Sequence, residues 1–129
     1  MTKDRRTKVF FDGGCRPNPG PIEVAAVVRG QVFIRDDLGH GGNGDAEWMA
    51  LLHGLEVAQK LGLADFEMVG DSLPVIERAN GVVRCRFGAE LAHFARFSEL
   101  CEVLRPARIR WIKRNQNLAG IALAARHER

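Results

Sequence analysis

Short runs of β-branched and aromatic residues, separated by turn residues, predict three strands in the first third of the chain. The runs cover residues 8–12, 22–28 and 31–35, and Arg29-Gly30 between the last two is typical of a tight hairpin. This close spacing favours an antiparallel meander. The polar stretch at residues 36–44 contains four glycines and predicts a loop.

Apolar residues then recur at steps of three and four, which predicts helices over residues 45–61, 89–104 and 117–126, with a brief helix at 73–79. Strands are predicted at 66–69 and 108–113. This order indicates an α/β fold with a five-stranded mixed sheet, in which two parallel strands extend the antiparallel meander and helices cover both faces. We expect residues 1–129 to form a single domain.

Three acids converge in this predicted topology. Asp12 and Asp71 follow the first and fourth strands, whose carboxyl ends should meet because the strands are expected to be parallel, and Glu47 lies in the first turn of the first long helix. Each acid taken singly is explained equally well as a turn or cap residue. Together they would repel one another unless cations lay between them, and oxygen ligands suit Mg²⁺ or Mn²⁺. A pair of such ions can support in-line displacement at a phosphodiester.

Composition adds limits rather than a function. A net charge of +3 and a pI near 9.1 permit nucleic-acid binding without requiring it. Three widely spaced cysteines support neither a disulfide framework nor a zinc ribbon, and no apolar run is long enough for a membrane span. We therefore expect a cytoplasmic protein without a membrane association, and no obligatory protein partner is evident.

Three segments carry a resemblance to a known family. Residues 10–20, 43–55 and 69–72 resemble, in order and context, the segments that hold the first three catalytic carboxylates of type 1 ribonucleases H, in the short form without the basic protrusion. The resemblance implies a ribonuclease H-like fold and cleavage of the RNA strand of RNA/DNA hybrids, leaving 3′-hydroxyl and 5′-phosphate ends. It implies that Asp12, Glu47 and Asp71 are both catalytic residues and ligands of two Mg²⁺ or Mn²⁺ ions.

The resemblance also implies contacts with nucleic acid, where 2′-hydroxyls in the minor groove distinguish RNA from DNA. The residues expected to make them are Gly13, Gly14, Cys15, Arg16, Asn18, Asn43 and Ser72, and we add Arg114 because it lies near the predicted edge.

One departure concerns the last helix, where Ile121 replaces the family's fourth acid. The resemblance implies that this acid helps to hold one of the two ions, so that ion should be weakly held and the activity weakened unless another group substitutes. Glu128 and His127 are the nearby candidates. The alternative is a catalytically impaired ribonuclease H-like module that binds nucleic acid.

A basic cluster around the last predicted strand leaves two interpretations open. Its members are Arg105, Arg108, Arg110, Lys113 and Arg114. A phosphate track and a solvated strand face fit this pattern equally well. Alternation along the strand favours Trp111 as a core residue rather than a base-stacking one.

Overall fold

The computed structural model describes residues 6–86 and 88–127. Its strands are β1 (Thr7–Cys15), β2 (Gly20–Val28), β3 (Gln31–Arg35), β4 (His40–Gly41), β5 (Phe66–Gly70) and β6 (Arg108–Trp111). Its helices are α1 (Asn43–Lys60), α2 (Leu73–Ala79), α3 (Gly88–Val103) and α4 (Leu118–Arg126), with a short 3₁₀ helix at Arg114–Gln116.

The predicted mixed sheet is confirmed. Its strand order is β3-β2-β1-β5-β6, with β1 antiparallel to β2, and with β5 parallel to both β1 and β6. The stretch predicted as a loop contains one further strand, the two-residue β4, which pairs with the start of β2. The sheet therefore has five main strands and a short sixth one.

Helices cover both faces of the sheet, as predicted. On one face, the side chains of Val9 and Phe11 from β1 are buried in the main core with apolar residues of α1 and α3. On the other face, Ala25 and Val27 of β2 pack with Ala119 and Leu123 of α4. Residues of β1 that alternate between these faces therefore point either toward α1 or toward α4.

The prediction that the first strand ends at Asp12 is wrong. β1 continues through Gly13 and Gly14 to Cys15, because these residues stay in register with β2 as far as Ile22. The parallel pairing with β5 ends earlier, at Phe10 opposite Val69. Asp12 therefore lies beyond the end of the parallel pair, even though it is inside a strand.

The glycine after Asp12 allows α1 to pack directly on β1. A Cβ atom on Gly13 would lie 2.2 Å from the backbone oxygen of Ala46. No side chain fits at this distance. Only glycine at this position allows the backbones of β1 and α1 to come so close. This contact places Glu47, the next residue of α1, beside the strand that carries Asp12.

Trp111 is not a core residue, contrary to the prediction. Its side chain is 47% exposed, whereas Ile109, which alternation placed on the same face, is buried. The indole Nε1 donates a hydrogen bond to the backbone oxygen of Asp71 at 3.2 Å. Trp111 ends the strand, so this contact rather than strand alternation determines its orientation.

Over the described ranges, no helix combines the length and the apolar character that a membrane crossing requires.

Candidate active site

A cavity of about 460 Å³ opens where β1, α1 and α4 meet. Asp12 and Glu47 line it, together with several of the residues that were expected to contact nucleic acid. These are Gly13, Gly14, Cys15, Arg16, Asn43 and Arg114. Ile121 and Gly120 of α4 form the opposite wall.

Asp12 is the acid most strongly affected by its surroundings. Burial raises its pKa, the charge of Asp71 raises it further, Arg114 lowers it, and Glu47 raises it, with the result that the pKa of Asp12 is about 7. The structure therefore brings the three predicted acids within electrostatic reach of one another. A carboxylate in this position is poorly stabilised by the protein alone, so a cation in the cavity would stabilise it.

Glu47 is oriented by Ser72. The hydroxyl of Ser72 donates a hydrogen bond of 2.8 Å to Glu47 Oε1, and Ser72 is buried. Burial raises the pKa of Glu47, the Ser72 hydrogen bond lowers it, and the charge of Asp71 raises it, leaving the pKa above its usual range. Ser72 was expected to contact nucleic acid, but the contact that it makes in this structure is with Glu47.

Asp71 is oriented by Asn117, a fully buried residue. The Nδ2 of Asn117 donates to Asp71 Oδ2 and to the backbone oxygen of Phe11, each at 3.0 Å. Its Oδ1 accepts a hydrogen bond from the backbone N–H of Ala119 at 3.1 Å and so caps α4. One amide thus connects β1, the Asp71 carboxylate and the last helix.

The expected nucleic-acid contacts are joined to the start of α1 by a small hydrogen-bond network. The backbone N–H of Cys15 donates to Asn43 Oδ1 at 3.3 Å, and the backbone N–H of Asn43 donates to Asn18 Oδ1 at 3.1 Å. Cys15 is buried in this network, and its Sγ lies 3.3 Å from Asn43 Oδ1. The rim of the cavity is therefore ordered by the same helix that carries Glu47.

The donor set fits a divalent cation. Within residues 6–86 and 88–127, no three side chains of His, Cys, Asp or Glu converge closely enough to form a metal site by themselves. Mg²⁺ usually takes only one or two protein carboxylates and completes its shell with water and substrate phosphates. Asp12, with Glu47 and Asp71 close enough to raise its pKa, supplies carboxylates of that kind.

The basic cluster is divided by the structure. Arg108 and Arg110 each donate a hydrogen bond of 2.8 Å to the buried carboxylate of Glu67. Arg114 instead lines the cavity and lowers the pKa of Asp12. Of these three arginines, Arg114 is the one placed to meet a phosphate in the cavity.

The wall formed by α4 carries no acid facing Asp12. Ile121 is 53% exposed, and a Cβ on Gly120 would lie 3.3 Å from Asp12 Oδ2. Two residues near the end of the chain were candidates to replace the missing fourth acid. Glu128 lies outside the described residues, and the Nε2 of His127 lies 2.5 Å from Glu23 Oε2.

Sequence reasoning missed two residues of this region, Asn117 as the partner of Asp71 and Glu23 as a lining acid. The sequence pattern identifies Asn117 only as the first residue of the last predicted helix. Its position before an apolar run is a signal for a helix N-cap. No signal in the sequence indicates its contact with Asp71, which lies 46 residues earlier. To predict that Glu23 lies near Asp12, one would need to know the register between β1 and β2.

Comparison with known proteins is consistent with this geometry. A family model described as Reverse transcriptase-like matches residues 10–127. Ribonuclease HI of Halobacterium salinarum is 40% identical over an alignment of 81 residues that covers 59% of this chain and 41% of that protein. The bifunctional protein Rv2228c of Mycobacterium tuberculosis is 30% identical over an alignment of 119 residues that covers 88% of this chain and 33% of that protein. Each match therefore spans less than half the length of the relative.

Solved structures resemble the whole fold. The crystal structure of RNase H1 from Halobacterium salinarum has a TM-score of 0.81 and 31% identity, and the match covers 92% of this chain and 94% of that one. LC11-RNase H1 in complex with an RNA/DNA hybrid has a TM-score of 0.82 with coverage of 92% and 93%, but its identity of 22% supports the fold alone. The matches over nearly the full chain confirm the resemblance found in the sequence, and the chain belongs to the ribonuclease H family.

Proposed function

We propose that this protein hydrolyses the RNA strand of RNA/DNA hybrids and depends on Mg²⁺ or Mn²⁺ to do so. The observation that carries the proposal is the arrangement of three acids: Asp12 and Glu47 line one cavity, and burial together with the charges of Asp71 and Glu47 raises the pKa of Asp12 to about 7. Membership of the ribonuclease H family supports the same reaction class.

In this proposal Asp12, Glu47 and Asp71 hold the cations. The chemistry that such ions supply when bound is a lowered pKa of water and neutralisation of charge on the phosphate. The chain's own groups keep the carboxylates oriented: Ser72 fixes one oxygen of Glu47, and Asn117 fixes one oxygen of Asp71. Both donors are neutral, so they orient the acids without cancelling the negative charge that attracts a cation.

The remaining cavity residues suit a polyanion. Arg114 and Arg16 place positive charge on the cavity lining. Gly14 adds no side chain to the strand beside Asp12, and a Cβ there would meet no atom closer than 3.9 Å, so a nucleic-acid backbone has access to this part of the strand. We propose that this rim, with Cys15, Asn18 and Asn43, contacts the hybrid in the minor groove, where 2′-hydroxyls identify the RNA strand.

A second candidate function is a nucleic-acid-binding module with impaired catalysis. The observation that favours it is Ile121, which places an exposed apolar side chain on the cavity wall where the family resemblance implies an acid.

Cleavage of an end-labelled RNA/DNA hybrid in Mn²⁺ and in Mg²⁺ tests the proposal. We expect Asp12→Asn to abolish cleavage, because it removes the charge of the central carboxylate while keeping its shape. Asp37→Asn is the matched control, since Asp37 is an exposed loop acid paired with Arg35, and it should cleave like wild type. Cleavage that survives Asp12→Asn would contradict the site assignment. Hybrid binding without cleavage by the wild-type protein in either metal would favour the binding module.

A further inference from the structure

Glu23 is an acid of β2 that lines the same cavity as Asp12 and Glu47. In the β1–β2 register Glu23 lies opposite Gly14, and Asp12 lies opposite Ala25. Residues two apart along a strand share a face, so Glu23 and Asp12 both point toward the face that α4 covers. Diagonal neighbours of this kind have Cβ atoms roughly 7 Å apart.

The space between these two acids is open on the β1 side. Gly14 is the strand residue that faces Glu23 directly, and it has no side chain. A Cβ at Gly14 would meet no atom closer than Asn43 Oδ1, at 3.9 Å. No side chain of β1 therefore stands between the Glu23 carboxylate and the part of the cavity that Asp12 lines.

Within the described chain, the acids that line the cavity are Asp12, Glu23 and Glu47. The α4 wall contributes Gly120, Ile121, Leu123 and Ala124, which have no charge. Because Ile121 occupies the helix position where the resemblance implies an acid, a carboxylate that serves this wall has to come from another element. Glu23 lies on the neighbouring strand of the same face.

Glu23 contacts Arg126 and His127, and Arg126 has a second carboxylate partner. Its side chain is 12% exposed, and its oxygens lie 2.6 Å from Arg126 Nη1 and 2.5 Å from His127 Nε2. Arg126 also contacts Asp36, with Nη2 3.0 Å from Oδ2. If Glu23 turned toward the cavity, Arg126 would keep this second carboxylate, so the movement would not leave its guanidinium unpaired.

We propose that Glu23 is the fourth carboxylate of this site and contributes to cation binding on the wall where Ile121 stands. This inference rests on the proposed function. Asp12, Glu47 and Asp71 supply three negative charges, and Glu23 supplies a fourth to match the four positive charges of two divalent ions. In this proposal the fourth carboxylate comes from β2 and not from the last helix.

Binding of Mn²⁺ to the protein without nucleic acid, measured by titration calorimetry, tests the proposal through a pair of variants that break the same ion pair. Glu23→Gln removes the carboxylate, and we expect it to weaken the affinity for Mn²⁺ by about 10-fold or more. Arg126→Gln removes the guanidinium that competes for Glu23 and keeps the carboxylate, so it should bind Mn²⁺ at least as tightly as wild type. Glu102→Gln, an exposed change on α3, controls for loss of one negative charge.

An equal loss of Mn²⁺ affinity in Glu23→Gln and Arg126→Gln would overturn the proposal, because it would show that the ion pair merely anchors α4. Unchanged affinity in Glu23→Gln would overturn it as well. If Glu23→Gln does not fold, Arg126→Gln decides alone: weakened Mn²⁺ binding counts against Glu23, and equal or tighter binding supports it.

Two further variants separate this inference from the proposed function. Ile121→Asp added to Glu23→Gln should restore Mn²⁺ affinity, since an acid then returns to the α4 wall, and a failure to restore it would count against a shared role. If Asp12→Asn binds Mn²⁺ as well as wild type does, the proposed metal site itself is wrong. If Asp12→Asn loses Mn²⁺ and Glu23→Gln does not, only the role of Glu23 is wrong.

Discussion

Two acids on neighbouring parallel strands, Asp12 of β1 and Glu67 of β5, have opposite electrostatic environments. Burial raises the pKa of Glu67, but hydrogen bonds from Arg110 and Arg108 outweigh it, so this pKa lies below its usual range. Burial also raises the pKa of Asp12, and there the charges of Asp71 and Glu47 add to it, while Arg114 offsets only part of the increase. The chain places two guanidinium groups beside Glu67, whereas it places two further carboxylates near Asp12.

This difference separates an acid that stabilises the fold from acids that weaken it when no cation is bound. Glu67 is 5% exposed, and its Oε1 accepts hydrogen bonds from two arginines of the chain itself. Asp12 faces a cavity, and its neighbouring carboxylates are held by the neutral donors Ser72 and Asn117. A cation from solution would relieve repulsion at Asp12 and would have no role at Glu67.

The largest expected effect is a gain in stability from Asp12→Asn at neutral and higher pH without divalent ions. In the unfolded chain Asp12 loses its proton near its ordinary pKa of 3.8, and in the folded protein only near 7. The folded state therefore binds more protons between these values, and wild-type stability falls as the pH rises through this window. At about 1.4 kcal/mol per pKa unit, reduced for solvent screening, the variant should exceed wild type by roughly 2–3 kcal/mol at about pH 8.

Denaturant unfolding at several pH values in the presence of a chelator measures this difference. It should vanish below about pH 4, where Asp12 is protonated in both states. Equal stability of the two proteins at about pH 8 would contradict the raised pKa of Asp12, to which burial contributes most.

The opposite sign is expected for Glu67→Gln. Two charged donors lose their anionic acceptor, so the free energy of unfolding at about pH 7 should fall by about 2 kcal/mol. Because the folded pKa of Glu67 is lowered, its contribution is present above its ordinary pKa and is lost as the pH falls. Denaturant unfolding beside the control Glu102→Gln checks the loss, and affinity for Mn²⁺ should stay at the wild-type value. If Glu67→Gln stabilised the protein, the contrast between the two strands would not hold.

The smallest effect is expected for Ser72→Ala. It removes the hydrogen bond to Glu47, which should cost about 1 kcal/mol of stability. Because that hydrogen bond lowers the pKa of Glu47, its removal should raise this pKa and move the acidic limb of the pH profile of hybrid cleavage to higher pH. Ser98→Ala on the exposed side of α3 is the matched control. A pH profile identical to that of wild type would mean that Ser72 does not tune Glu47.

Much of the fold was predictable because it depends on local patterns. Residues 31–35 and 73–79 were predicted with the boundaries that β3 and α2 have, and the long helices differ from prediction by one or two residues. The grouping of Asp12 with Asp71 followed from a single topological rule for strands joined through a helix. These features need no knowledge of which distant side chains touch.

The features that sequence reasoning missed depend on contacts between distant residues. The continuation of β1 beyond Asp12 requires β2 as a partner, and the exposure of Trp111 follows from its bond to the Asp71 backbone. Glycine pairs such as Gly13-Gly14 are typical of turns, yet here Gly13 is needed because the backbone of α1 lies against the strand. The position of Glu23 beside Asp12 appears only when the strand register is known.

The hydrogen bonds of Asn117 have a consequence for motion. This one buried amide holds the first turn of α4, the Phe11 carbonyl and the Asp71 carboxylate. Opening of the last helix by local fluctuation would therefore release Asp71 in the same event, and the lifetime of the ordered carboxylate can be no longer than that of the closed helix. The amide exchange rate at Ala119 would then report how often the site loses its shape.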